Sequence, residues 1–360
     1  MKKFLIISLC LLFLASGCGK KDERVKIQFA SWGSKTEDEI IKDVIKDFED
    51  KNPDIKIEFL HIPQNYFQKI HLLFASNTEP DVLFLNNHYL PVYANAGRLL
   101  PLSTQGVYDK KVLEALSWHD EIYAVPRDIS LLVVYYNKDL FQKAGVAEPK
   151  NGWKQADFLA KARKITEKTG MFGISFEEEP LFYLPYVMSE GGSFFDIDSE
   201  NSQRALAFYA DLRKKYHVAP RREESASATM AQMFLQGKLA MQLSGRWLTP
   251  KYLEDADFEW GTVEFPAGQA GSIVPLDASG WAISKASRHK DEAIEFVNYL
   301  ASREVIEKFA KTGLIVPARN DVDFEGAEVY RQTLKTAQPT PVSVDYNKVL
   351  DELKIKCALD

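Results

Sequence analysis

Leu131-Leu-Val-Val-Tyr-Tyr-Asn-Lys-Asp-Leu-Phe-Gln-Lys-Ala-Gly-Val146 runs a strand, a cap and a helix together with no connection between them. Residues 131–136 are apolar or aromatic throughout and read as a strand. Asn137 stands where a side-chain oxygen can cap the first amides of a helix over 137–144, and Gly145 follows at a C-cap position. The same strand-to-helix step recurs on either side. Upstream, Val25, Ile27 and Phe29 alternate with polar residues, as in a half-buried strand. Thr36-Glu-Asp-Glu39 matches a capping box, and Ile40, Ile41, Val44, Ile45 and Phe48 follow at helical spacing until Pro53. Ile55, Ile57 and Phe59 resume the alternation, 66–73 reads as a helix, and 82–85 as a fully buried strand. Downstream, Phe158, Leu159, Ala162 and Ile165 share a helix face closed by Gly170, and Gly173-Ile-Ser-Phe176 reads as another strand. Further helices are expected over 202–216, 226–236, 291–300 and 345–359. This alternation predicts a parallel sheet flanked by helices. No linker, repeat or low-complexity stretch separates the two α/β series, so two lobes would be interleaved.

Composition narrows the function classes. The 360 residues carry a formal net charge of -6. Lys2 and Lys3 precede an apolar run over 4–15, shorter than the roughly 20 residues of a spanning helix, so residues 1–17 read as a signal peptide. Its removal takes two lysines and leaves -8. Mild acidity disfavours a nucleic-acid partner. Cys10 lies in the signal, Cys18 follows it and Cys357 stands alone, so the mature chain can form no intramolecular disulfide. At this length two domains are expected. No second apolar segment approaches membrane length, which predicts a soluble body anchored only at its start.

Ala15-Ser-Gly-Cys18 resembles the lipobox of bacterial lipoproteins, in which the thiol is acylated and the peptide is cut before it. That family usually has Leu where this chain has Ala15. The resemblance implies attachment to the lipid bilayer at Cys18, a short tether over 18–24, and an extracytoplasmic location on the periplasmic side or outer surface.

Catalytic signatures are missing. No GxxxxGK[ST] loop, GxSxG elbow or HExxH helix occurs. The histidines at 61, 71, 88, 119, 217 and 289 show no metal-ligand spacing, so no metal and no cofactor are expected. Two carboxylates close only in space would still suffice for a glycosidase. The missing motifs nevertheless point away from an enzyme.

Four segments together resemble the extracellular solute-binding proteins of ATP-binding-cassette importers, in the large sugar-binding branch that includes the maltose-binding type. They are Pro80-Asp-Val-Leu-Phe84; Tyr123-Ala-Val-Pro126 with 131–146; Phe234-Leu-Gln-Gly-Lys-Leu-Ala-Met241 with Gly245-Arg-Trp247; and Ser279-Gly-Trp-Ala-Ile-Ser-Lys285 with the 289–300 helix and Gly313-Leu-Ile-Val-Pro-Ala-Arg319. They occur in the family's order over nearly the whole mature chain. The resemblance implies an α/β fold of two interleaved Rossmann-like lobes joined by a three-crossing hinge, the type II periplasmic-binding arrangement. Lobe one would combine 24–128 with 283–314, and lobe two 134–277 with 319–360. The crossings would fall near 127–134, 277–283 and 313–319. It further implies a monomer that closes on a sugar or oligosaccharide and delivers it to ABC permease subunits. The alternatives are a phosphorylated or other non-sugar solute, and a surface glycan hydrolase.

Sugar clefts set flat aromatic platforms against C–H faces and planar polar groups against hydroxyl edges. Trp32 after the first strand, Trp247 after Ser244-Gly-Arg and Trp281 after Ser279-Gly280 are the expected platforms. Asn86, Asn87 and His88 follow the 82–85 strand. Asn65 and Tyr66 open a helix, where Asn65 serves equally well as a cap. Asp128 at the first crossing would accept from hydroxyls with Arg127 bracing it, and Gly280 belongs to the second crossing. Arg246 and Arg319 leave room for an acidic or phosphorylated sugar held by bidentate bonds. Glu178 and Tyr183, in the loop after the 173–176 segment, complete the candidates.

Overall fold

The computed structural model describes residues 23–225 and 227–357. The signal segment, Cys18 and residues 18–22 of the expected tether lie outside the described residues, as do residue 226 and residues 358–360. The strands are β1 (Val25–Ser31), β2 (Ile55–His61), β3 (Val82–Asn86), β4 (Ser117–Trp118), β5 (Glu121–Ile122), β6 (Val125–Ser130), β7 (Val133–Asn137), β8 (Met241–Ser244), β9 (Trp260–Val263), β10 (Pro275–Ile283), β11 (Val316–Pro317) and β12 (Gln338–Pro339). The larger sheet has the order β11-β6-β10-β3-β1-β2, with β12 paired to β10, and the smaller is β8-β7-β9. β4 and β5 form a separate hairpin.

β1 lies parallel to β2 and β3, with the helices Lys35–Lys51 and Tyr66–Ala75 as crossovers. β10 then returns antiparallel between β3 and β6, and both partners of β7 are antiparallel to it. The parallel expectation therefore holds for β1–β3 and for β10 with β12, and fails where β10 pairs β3 and β6, where β11 pairs β6, and throughout the smaller sheet. The chain leaves the larger sheet between β6 and β7, comes back with β10 and β11, and departs into the helix Ala327–Thr336 before touching β10 once more with β12. The result is two interleaved α/β lobes joined by three crossings.

Local signals explain most elements. Asn137 Oδ1 accepts from Leu140 N–H (3.0 Å) to cap Lys138–Ala144, and Gly145 closes that helix at φ 62°. The first helix starts two residues earlier than its sequence motif places it. Ser34, not Thr36, caps it, accepting from Glu37 N–H (3.3 Å) while Glu37 Oε2 accepts from Ser34 N–H (2.9 Å). Its Ile41, Val44, Ile45 and Phe48 enter the core beside Phe29, Phe84 and Phe296. Residues 173–176 make no strand, because their amides are divided between partners. Gly173 and Ile174 N–H donate to Val218 O, whereas Ser175 N–H donates to Met241 O (3.0 Å). The helix expected over 226–236 spans Met230–Leu235, after Thr229 caps it.

Candidate functional site

Strands running the same way bring their carboxyl ends to one edge of a sheet. Here Trp32 follows β1, Asn86 closes β3 with His88 just beyond it, and Asp128 and Ser130 end β6, while Asp277 and Ser279 come from the start of the opposed β10. Arg246 and Trp247, from the turn after β8, face them across a cavity of about 300 Å³.

Trp32 is held by its neighbours, edge-on to Tyr66 at 5.0 Å and tilted against Phe84 at 4.3 Å. Trp247 is 37% exposed, and its indole folds back over Gly245, where a Cβ would lie 1.8 Å from the ring. Only a glycine leaves room for that placement. Arg127 is the extra residue of a β-bulge, since Ser279 faces Asp128 and Gly280 faces Pro126. At 3% exposure its guanidinium donates to Asp128 Oδ2 (2.6 and 2.9 Å) and Glu37 Oε1 (3.1 Å), and lies 4.1 Å over the Phe84 ring. Burial raises the Asp128 carboxyl above its ordinary value, with Arg127 opposing. His88 Nε2 lies 2.7 Å from Asp277 Oδ1. Burial works to raise Asp277, but His88, Thr340 and Asn87 together outweigh it and hold the carboxyl low. His88 and Asp277 also wall an adjoining cavity of about 130 Å³, where the Tyr346 ring stacks on His88 at 4.4 Å.

Trp32, Asn86, His88, Arg127, Asp128, Arg246 and Trp247 thus meet in one cavity. The other candidates are placed elsewhere. Trp281 is in the core, because it pairs with Phe84 inside the sheet, two residues deeper than the Ser279–Asn86 pair at the edge. Gly280 serves the sheet: a Cβ there would lie 2.2 Å from Val125 O. Asn87 is consumed as a brace, donating to Asp277 Oδ1 (3.1 Å) and accepting from Ala278 N–H (3.2 Å). Tyr66 is buried with its hydroxyl on Ala30 O (3.1 Å), and Asn65 is exposed in a left-handed conformation without capping by its side chain. Arg319 is held by Asp321 and Ala301 O, Glu178 by Arg213 and Arg222, and Tyr183 is buried in the core. Glu37, Ser130, Asp277 and Ser279 line this cavity, and Tyr346 the adjoining one, without a binding signal in the sequence. For Glu37 the only signal was its place in a helix start, and for Asp277 and Ser279 their place in a crossing. Among the described residues no cluster of His, Cys, Asp or Glu is placed to hold a metal ion, and no helix is long and apolar enough to cross a membrane.

A family model described as bacterial extracellular solute-binding protein matches residues 32–307. The chain belongs to that family. This solute-binding protein is 25% identical to the maltodextrin-binding protein of Bacillus subtilis, over 91% of its own length and 82% of the relative's. It is also 25% identical to the diacetylchitobiose-binding protein of Streptomyces coelicolor, over 85% and 77%. Among solved structures it is similar to an ABC substrate-binding protein of Listeria monocytogenes in complex with cycloalternan. That match has a TM-score of 0.82 and 25% identity, and it covers 93% of this chain and 92% of the other.

Proposed function

We propose that this solute-binding protein captures a neutral sugar or oligosaccharide by closing its lobes, and passes it to the permease of an ABC importer without catalysis. One observation carries the reading: Trp32 from the larger sheet and Trp247 from the smaller border a single cavity that also holds Asn86, Asp128, Ser130 and Ser279. Two rings supply apolar faces, and the polar groups are spaced between them as hydroxyl partners. Contacts from both lobes are what closure requires, since a ligand shifts an equilibrium only through its differential affinity for the two states. The lobes are taken as 24–128 with 283–314 and 134–277 with 319–360, and the monomer as tethered through acylated Cys18. Relatives named for maltodextrin and diacetylchitobiose support a sugar ligand.

A thermal-shift panel of neutral mono- and oligosaccharides, with hexose phosphates alongside, tests it. A true ligand at about 100 times its dissociation constant adds roughly 2.7 kcal/mol of stability. A response to phosphorylated sugars alone, or a flat panel, would refute the neutral-sugar assignment.

A further inference from the structure

A strand ordinarily puts consecutive side chains on opposite faces, where they cannot meet. Arg127 and Asp128 do meet, because the bulge in β6 departs from that alternation. Gly280 leaves room for the bulge, since a Cβ there would lie 3.1 Å from Pro126 Cα. Arg127 Nε and Nη2 then donate to Asp128 Oδ2, and Nη2 also donates to Glu37 Oε1. The guanidinium lies over the Phe84 ring at 4.1 Å and near the Phe309 ring at 5.0 Å. Glu37, Phe84 and Phe309, which hold it, all belong to the first lobe as divided above.

Both oxygens of Glu37 are engaged within the protein. Oε2 accepts from Ser34 N–H and Oε1 from Arg127. This folded-back placement depends on Gly33, at φ 140°, where a Cβ would lie 2.9 Å from Glu37 Cβ. Asp128 differs. Its side chain is 14% exposed in the wall of the cavity that Trp32 and Trp247 border. Among the described residues its Oδ1 takes no hydrogen bond, both donors from Arg127 going to Oδ2.

We propose that Glu37 is a positioning residue for sugar capture: through Arg127 it holds Asp128 so that Oδ1 accepts from a sugar hydroxyl. The inference rests on the sugar reading above. Two donors on one oxygen orient the carboxylate and leave the other for the solute. An acceptor ordered in advance lowers the cost of binding. Asp128 also lies in β6 between β10 and β11, where the chain crosses between the lobes. With Arg127 anchored to the first lobe, the acceptor keeps its aim while the other lobe closes.

Titration calorimetry of the parent with glucose, galactose, lactose and maltotriose selects the tightest binder, and a double-mutant cycle is run with that sugar. Glu37→Gln suits the helix start equally well but no longer offers Arg127 a carboxylate. It should weaken binding about tenfold. Asp128→Asn should weaken binding too, and adding Glu37→Gln to it should change affinity by no more than about twofold, because the residue it acts through is already altered. Glu37→Asp keeps the charge but shortens the reach to Arg127; it should match the loss in Glu37→Gln, and it replaces that variant should the glutamine chain fail to unfold cooperatively. Parental affinity in the Glu37 variants overturns the proposal. So do losses that multiply in the double variant, which would make Glu37 independent of Asp128. If the parent binds none of these sugars, the sugar reading itself fails and the positioning role falls with it.

Discussion

Trp247 and Trp281 each follow closely on a glycine, and in sequence both look like rings at the mouth of a loop. The sheet separates them. Trp281 is 1% exposed, set between Phe84 and Val125 on neighbouring strands, whereas Trp247 is more than a third exposed above Gly245. Trp281→Ala should cost about 3–5 kcal/mol of stability, seen as a lowered denaturation midpoint. Trp247→Ala should leave that midpoint nearly unchanged and weaken sugar binding by about tenfold or more in calorimetry. The reverse pattern would exchange their roles. Residue type and position after a turn are legible in sequence, but depth along a strand is not. Ser279-Gly280 reads in sequence as part of a crossing, yet it lies in mid-strand, where Val125 O takes the space a Cβ would need.

The turn that leads into the helix Pro180–Ser189 sets two adjacent carboxyls in opposite states. Burial, then the charges of Glu179 and Glu178, push Glu177 up to about 7. Hydrogen bonding from Arg222, aided by Arg213 against desolvation, holds Glu178 at about 2. A raised folded pKa means that the native state holds a proton the unfolded chain has lost, so Glu177 makes stability fall as pH climbs from about 4.5 to about 7. Glu178 works the other way, and its contribution is lost as pH drops from about 4.5 toward 2. Urea unfolding at pH 5 and pH 7.5 should show a smaller loss across that step for Glu177→Gln than for the parent. Equal losses would mean that Glu177 is not buried as a neutral acid. Glu177-Glu-Glu179 reads in sequence as a solvated charge run. What changes its meaning are Arg213 and Arg222, separated from Glu178 by 35 and 44 residues. Elements whose signals are local, such as the Asn137 cap and Gly145 stop, are legible for the same reason that this cluster is not.

For the whole molecule, the order of segments along the chain carries the architecture, while the pairing of β10 had no local trace. With the cavity bounded by both lobes, saturating sugar should lower the radius of gyration measured by small-angle X-ray scattering; an unchanged value would mean that capture proceeds without closure. β10 sits at the centre of the larger sheet, yet it comes after every strand of the smaller one. A chain emerging amino end first therefore presents β3 and β6 with the edges that β10 will occupy still bare. A fragment ending at residue 270 lacks that strand and should show no cooperative unfolding of the larger sheet by circular dichroism; a sharp transition would show that β10 is dispensable. The late arrival of one strand works as a clock. It keeps the amino-terminal half unfinished until three-quarters of the chain has been made, a delay that leaves that half pliable through most of its synthesis.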